Sequence, residues 1–168
     1  MGIATVAWCG WGQSYATGPV SVLLGLGSVV GLALAVGSVL VRRRLPGIGT
    51  HDAGPAWAGR VYRRALGAEI LLIVVGNIIL GRTGHPTYVI AWTYAVMAVH
   101  FLPLARLYRV RALVVAAGLG LTVAALGAAA YAISGTRPEP IVGGVGGLVL
   151  LATGLVTLVQ SRSGDVGE

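Results

Sequence analysis

The chain has 168 residues, of which 56% are hydrophobic and only 10% are charged, and its net charge is +7. Soluble domains carry about 25% charged residues, so this composition, with a mean hydropathy of +0.85, excludes an ordinary soluble fold. All twelve basic residues are arginine, and most cluster between long apolar runs rather than along one face. That distribution argues against nucleic-acid binding. It indicates a multi-pass protein embedded in the lipid bilayer.

The first sixteen residues are apolar and uncharged, but Gly10 and Gly12 interrupt them. Trp8 is a residue type that suits a membrane interface, where its ring lies among the headgroups. We therefore expect an uncharged tail or a short interfacial segment rather than a span. Cys9 is the single cysteine, which excludes an intramolecular disulfide. We expect it to be a thiol at the membrane surface.

Five apolar runs follow, and each is long enough to cross a bilayer as a helix. The turn at 82–86 between the second and third runs is short, so these two spans form an antiparallel hairpin. The connection at 45–59 is rich in glycine and proline, which predicts a loop. The fold prediction is an all-α bundle of five transmembrane helices in a single integral membrane domain, 1–168. The spans are expected at about 18–41, 65–81, 87–105, 112–134 and 141–159.

No cofactor and no metal site are predicted. His51 and Asp52 are adjacent in the 45–59 connection, but no further ligand-type residues stand at metal-binding spacing, which favours a solvated pair. A membrane haem needs two facing histidines, whereas His85 and His100 are placed at opposite ends of their span. Nucleotide-binding, zinc-protease and serine-hydrolase motifs are absent from the sequence.

Arginine placement predicts the orientation. With five spans, ten arginines fall on one side of the membrane, and only Arg82 and Arg137 fall on the other. The positive-inside rule then places the N-terminus outside and the C-terminus inside a bacterial plasma membrane. The arginines assigned to topology and lipid headgroups include Arg42, Arg43, Arg44, Arg63, Arg64, Arg109 and Arg111.

Two ionisable residues lie within spans, where charge is costly and marks candidate functional positions. Glu69 is five residues beyond Arg64, about 7.5 Å along a helix. His100 is six residues before Arg106, about 9 Å from the same end. In an antiparallel hairpin the carboxylate and the imidazole are therefore at similar depth, and we expect them to form a hydrogen bond or ion pair.

Asn77 is thirteen residues beyond Arg64, and Thr93 is thirteen residues before Arg106, so these two residues are also matched in depth. We call Glu69, Asn77, Thr93 and His100 the polar seam. The favoured interpretation is that the seam holds two helices together, each bond contributing about 0.6 kcal/mol, or that Glu69 reaches toward an interfacial arginine. A role in binding a proton, an ion or a ligand is the alternative. Pro103 is expected to bend the span one turn from His100.

The third span ends in His100-Phe101-Leu102-Pro103-Leu104-Ala105-Arg106, and the chain has no lysine. This stretch resembles small multi-pass membrane proteins of high-GC, actinobacterial-type bacteria, in which the span after a tight turn ends in His-Phe-x-x-Leu-Ala-Arg. The similarity covers about residues 60–160. The resemblance implies a helical bundle in the plasma membrane and implies no activity. It makes His100 and Arg106 the first residues to test.

The sequence favours a non-enzymatic membrane protein, a structural or partner subunit that forms a homo-oligomer or binds another membrane protein. The glycine-rich first and fifth spans would supply the contact faces. Gly27 and Gly31 form a GxxxG step, although 27 glycines in the chain give such steps by chance. The alternative is a small proton-linked transporter or ligand-binding protein that uses Glu69 and His100, because histidine titrates near neutral pH. A membrane enzyme is disfavoured, since no motif supports one.

Overall fold

The computed structural model describes residues 2–44 and 56–162, and this part of the chain is folded entirely into helices and their turns. Five of the helices are long and apolar enough to cross a membrane, which confirms the predicted all-α fold with five candidate spans. The connection at 45–55, with His51 and Asp52, and the tail at 163–168 lie outside the described residues. The helices are α1 (Gly2–Gln13), α2 (Pro19–Arg44), α3 (Ala56–Arg82), α4 (Val89–Tyr108), α5 (Arg111–Ser134) and α6 (Pro138–Arg162), with a 3₁₀ turn at Pro86–Tyr88 before α4.

The helix ends follow from local chemistry. Pro19 and Pro138 each begin a helix, where the missing N–H of proline costs no hydrogen bond. Gly135 ends α5 with a left-handed φ of 70°, and its N–H bonds to the carbonyl of Tyr131. At the end of α4 the same left-handed position is occupied by Arg109, whose φ is 53°. An arginine in this conformation is uncommon, because its Cβ crowds the backbone.

The second span was expected to begin at residue 65, but α3 begins at Ala56. The apolar run alone sets where a helix can enter the bilayer, whereas the helix itself continues into the basic segment before it. Arg60, Arg63 and Arg64 therefore belong to the first turns of α3. The part of the predicted 45–59 loop that the structure describes is helical.

The helices pack in the spatial order α3, α4, α5, α6, α1 and α2, with α4 also contacting α6 and α2 also contacting α6. The core lies where α4, α5 and α6 meet. Tyr94 is 1% exposed, and its hydroxyl donates a hydrogen bond of 2.8 Å to the carbonyl of Gly146. Gly120 of α5 packs on Ala98, and Gly127 packs on Val142. This centre is apolar apart from the tyrosine hydroxyl and its carbonyl partner.

Residues 2–13, for which an uncharged tail or a short interfacial segment was expected, form a helix that packs against α2 and α6. Trp8 and Cys9 are buried, at 6% and 3% exposure. The Trp8 ring meets Tyr94 edge-on at 4.8 Å, and its indole N–H points to the sulfur of Met97 at 3.1 Å. The tryptophan and the cysteine are thus core residues rather than interfacial ones.

Glycine explains why α1 fits. A Cβ at Gly12 would lie 3.0 Å from the Cα of Gly143, so the two backbones are in direct contact. The Cys9 sulfur occupies the space in front of Gly27 and Gly147. Gly12, Gly27, Gly143 and Gly147 therefore pack α1 against α2 and α6. These glycines of the first and fifth spans have contacts within the chain, and contact of those spans with another protein stays a prediction.

Candidate functional site

The polar seam lies between α3 and α4, at one edge of the bundle. On α3 the partly buried positions recur every three or four residues, at Glu69, Ile73, Asn77 and Leu80, which is the spacing of one helix face. This face meets α4, and the helix otherwise makes only minor contacts. No residue in its membrane-crossing window is buried. The seam therefore joins two helices and is not enclosed by the bundle.

Glu69 and His100 lie side by side at the level that depth matching predicted. The Nδ1 atom of His100 is 3.2 Å from Oε2 of Glu69, and the two side chains are 9% and 15% exposed, respectively. The two atoms are close, but their alignment does not make a hydrogen bond, and the buried Nδ1 has no other hydrogen-bond partner. The ring of Tyr62 stands edge-on to the imidazole, with the centroids 6.4 Å apart. A small rotation of the imidazole would direct Nδ1 at the carboxylate.

The Glu69–His100 contact bears on whether Glu69 reaches toward Arg63 or Arg106. Among the described residues, the ion pairs within 4.0 Å are His100 with Glu69 and Arg137 with Glu139. Within the same part of the chain, then, the partner of Glu69 is the histidine and not Arg63 or Arg106.

Asn77 and Thr93 form the second level of the seam. The Thr93 hydroxyl donates a hydrogen bond of 3.3 Å to Oδ1 of Asn77. The structure thus brings both depth-matched pairs into contact. Whether the seam binds a ligand or only holds the helices together stays a prediction.

A third polar contact between these helices was missed by the sequence reasoning. The indole N–H of Trp92 donates a 3.0 Å hydrogen bond to the backbone carbonyl of Leu72. The indole reaches that carbonyl because it lies over Gly76, where an added Cβ would overlap the ring. A glycine within α3, matched in depth with a tryptophan of α4, is the signal that could have predicted this contact.

Most of the arginines lie at one end of the bundle. Contacts across the helix pairs show that α2, α4 and α6 run in one direction and that α3 and α5 run in the other. The basic ends of these helices therefore coincide. Arg42, Arg43 and Arg44 end α2, and their side chains lie outside the described part. Arg63, Arg64, Arg106, Arg109 and Arg111 are exposed.

Within residues 2–44 and 56–162, no three histidine, cysteine or acidic side chains come together as a metal site. Comparison with protein-family models finds no match, and neither curated proteins nor solved structures show significant similarity to the chain.

Proposed function

We propose that this chain is a non-enzymatic subunit of a plasma-membrane assembly and that α3 packs against a second copy of the chain. The observation that carries the proposal is the position of Glu69, the partner of His100, on a helix with no buried residue in its membrane window. Ionisable side chains in membranes normally face a bundle interior or a water-filled cavity. Here α4 covers one side of Glu69, and the carboxylate-bearing side chain keeps 15% of its surface exposed.

A neighbouring helix would complete the cover of this pair. Beside Glu69 on α3, the exposed face presents Leu72, Val75 and Ile79, which are 44–54% exposed and aliphatic. Lipid covers such side chains well, but it offers no hydrogen bond to a carboxylate or an imidazole. A protein neighbour at this edge satisfies both needs, because it packs on the aliphatic face and brings polar groups to the level of Glu69.

A second copy is the natural neighbour for a physical reason. All copies of a membrane protein insert in the same orientation and at the same depth. A two-fold axis along the membrane normal therefore brings the Glu69–His100 pairs of two copies to one level, in a self-complementary interface. The glycines of α2 and α6 that contact α1 are already used within the chain, whereas no residue in the membrane window of α3 is buried.

Disulfide cross-linking in native membranes tests this interface. In a Cys9→Ala background, Leu72→Cys places a thiol on the exposed α3 face beside Glu69. The matched control is Leu155→Cys, because Leu155 is also exposed and also lies about two helical turns from an arginine at the basic end of the bundle. We expect an oxidised dimer with Leu72→Cys that Glu69→Gln weakens and that the control lacks. Equal cross-linking at both positions, or none at either, contradicts the proposal.

The orientation belongs to the same proposal, with the start of α2 outside and the C-terminus inside. It is supported by the coincidence of the basic helix ends. A reporter that is active only outside the plasma membrane should be active when fused after Ser134 and silent when fused after Thr50. The reverse pattern contradicts this orientation.

The unbonded Nδ1 of His100 favours one second candidate, a proton-linked transporter or ligand-binding protein. A buried imidazole nitrogen 3.2 Å from a carboxylate can accept or release a proton without breaking another hydrogen bond. Purified protein in liposomes with an enclosed pH dye tests this function. Proton flux should be lost in both Glu69→Gln and His100→Ala, while Thr93→Val should retain it. Flux that is absent in the native chain, or that both substitutions leave unchanged, excludes this function.

A further inference from the structure

A second feature of the bundle, remote from the polar seam, is an open groove between α5 and α6. Its volume is about 550 Å³, within the range of small-molecule sites. The walls are aliphatic except near one end, where Arg111 lies. The residues that carry the argument are Arg111, Val115, Leu119, Leu148, Ala152 and Val156.

The length of the groove fits one leaflet of a bilayer. From Arg111 to Leu119 the α5 wall rises by eight residues, which is about 12 Å. The hydrocarbon of one leaflet is about 15 Å thick, half of the bilayer core. The groove therefore begins at headgroup level, at the arginine-rich end of the bundle, and ends near the bilayer centre. Its aliphatic residues remain exposed, with Val115 at 60% and Leu148 at 61%.

The charge at the headgroup end has no partner in the described part of the chain. Neither Arg111 nor its neighbour Arg109 forms an ion pair there, and both are exposed. An arginine binds a phosphate oxygen through charge-assisted hydrogen bonds, often two at once. Val110 provides no side-chain cap for the first turn of α5, so backbone N–H groups also face this end.

From this combination we infer that the α5–α6 groove is a binding site for an anionic glycerophospholipid of the leaflet on the arginine-rich side. One acyl chain lies along Val115, Leu119 and Leu148, and the headgroup phosphate contacts Arg111 with Arg109 beside it. A zwitterionic lipid with the same chains fills the groove but gains less from the arginines, because its headgroup carries a compensating positive charge. The site does not depend on the proposed dimer, which uses α3.

Native mass spectrometry on the purified, delipidated chain tests the site. Phosphatidylglycerol and phosphatidylcholine with identical acyl chains are added in competition. We expect phosphatidylglycerol to be retained preferentially, and Arg111→Gln to reduce that preference roughly tenfold, as expected for a lost charge-assisted hydrogen bond. Arg82→Gln is the matched control, since Arg82 is an exposed arginine at the opposite end of the bundle, and it should leave the preference unchanged.

A groove-filling variant tests the acyl-chain part of the site. Ala152→Leu should reduce retention of both lipids, whereas Ala125→Leu, at an exposed alanine of α5 away from the groove, should not. If Arg111→Gln does not fold, loss of the preference in high salt, and its retention in Arg111→Lys, decide the question. An unchanged lipid preference in Arg111→Gln overturns the inference. So does an Ala152→Leu variant that loses self-association while its lipid retention is unchanged, because the groove would then be an interface between copies.

Discussion

Two regions of this bundle hold their helices together by different physical means. In the region of α1, α2 and α6, glycines bring backbones into contact, and the bulky Trp8 and Cys9 side chains occupy the space that remains. In the α3–α4 hairpin, the contacts are hydrogen bonds and an ion pair along one helix face. The contacts in the first region are mainly apolar, whereas those in the second are polar and lie at an edge that is open on its outer side.

This difference in packing indicates which region is the scaffold and which is the interaction surface. Close glycine packing relies on van der Waals contact between backbones, which needs no polar side chain. A polar seam at an edge is stabilised by fewer contacts and keeps groups that can respond to protons or to a neighbouring protein. We therefore assign the scaffold to the glycine-packed region and the interaction surface to the hairpin.

The largest effect is expected from Gly143→Leu, which breaks the first region. The new side chain would overlap the backbone of α1 at Gly12, so we expect a loss of about 3 kcal/mol or more. Because Cys9 is the only cysteine and is buried, its rate of maleimide labelling reports whether α1 is packed. Labelling should become fast. Gly118→Leu, at a position with open space, serves as the control and should keep Cys9 protected.

Gly76→Leu breaks the second region. It displaces the Trp92 indole from α3, and we expect a loss of about 1–3 kcal/mol in thermal unfolding in detergent. Cys9 should nevertheless stay protected, because α1 does not rely on α3. Gly67→Leu, on the same helix with open space around it, should have little effect. Fast Cys9 labelling in Gly76→Leu would show that the two regions are not separable.

The pH dependence of the first region provides a third test. Burial raises the pKa of the Cys9 thiol. The unfolded chain releases this proton at its usual pKa of about 8.5, and the folded chain releases it only at higher pH. The contribution of the neutral thiol is therefore complete below pH 8.5 and is lost as pH rises through the folded pKa. Native protein should lose stability relative to Cys9→Ala as pH rises above about 8.5; a constant difference would contradict this account.

The smallest effect is expected in the seam itself. A double-mutant cycle of Asn77→Val and Thr93→Val isolates the energy of their hydrogen bond. We expect a coupling of about 0.6 kcal/mol, typical of polar contacts between membrane helices. A coupling several times larger would indicate that the seam contributes far more to the scaffold than the comparison of the two regions allows.

Much of the hairpin was predictable because the rise per residue of a helix is fixed and because arginines mark the level at which each helix enters the bilayer. Counting residues from Arg64 and Arg106 was enough to match Glu69 with His100 and Asn77 with Thr93. The same counting did not reveal that Nδ1 of His100 is unbonded, which depends on ring orientation. It also did not predict the hydrogen bond from Trp92 to the Leu72 carbonyl, since every residue type has a backbone carbonyl and the sequence does not show which one accepts.

The N-terminal helix was not predictable in the same way. Gly10 and Gly12 disfavour an isolated helix by about 1 kcal/mol each. That local cost is outweighed when α1 contacts two other helices, and the contact exists only because Gly143 and Gly147 are distant in sequence but adjacent in space. Local propensity therefore gave the wrong answer where tertiary packing provides the stability.

The sequence by itself determined the all-helical fold, the five apolar spans and the common end of the arginines. These follow from composition and spacing, which act along each helix independently of its neighbours. Only the tertiary structure decided which faces are used within the chain and which remain open. That outcome depends on close approach between helices, at Gly12 and Gly143 for the scaffold and at Glu69 and His100 for the edge.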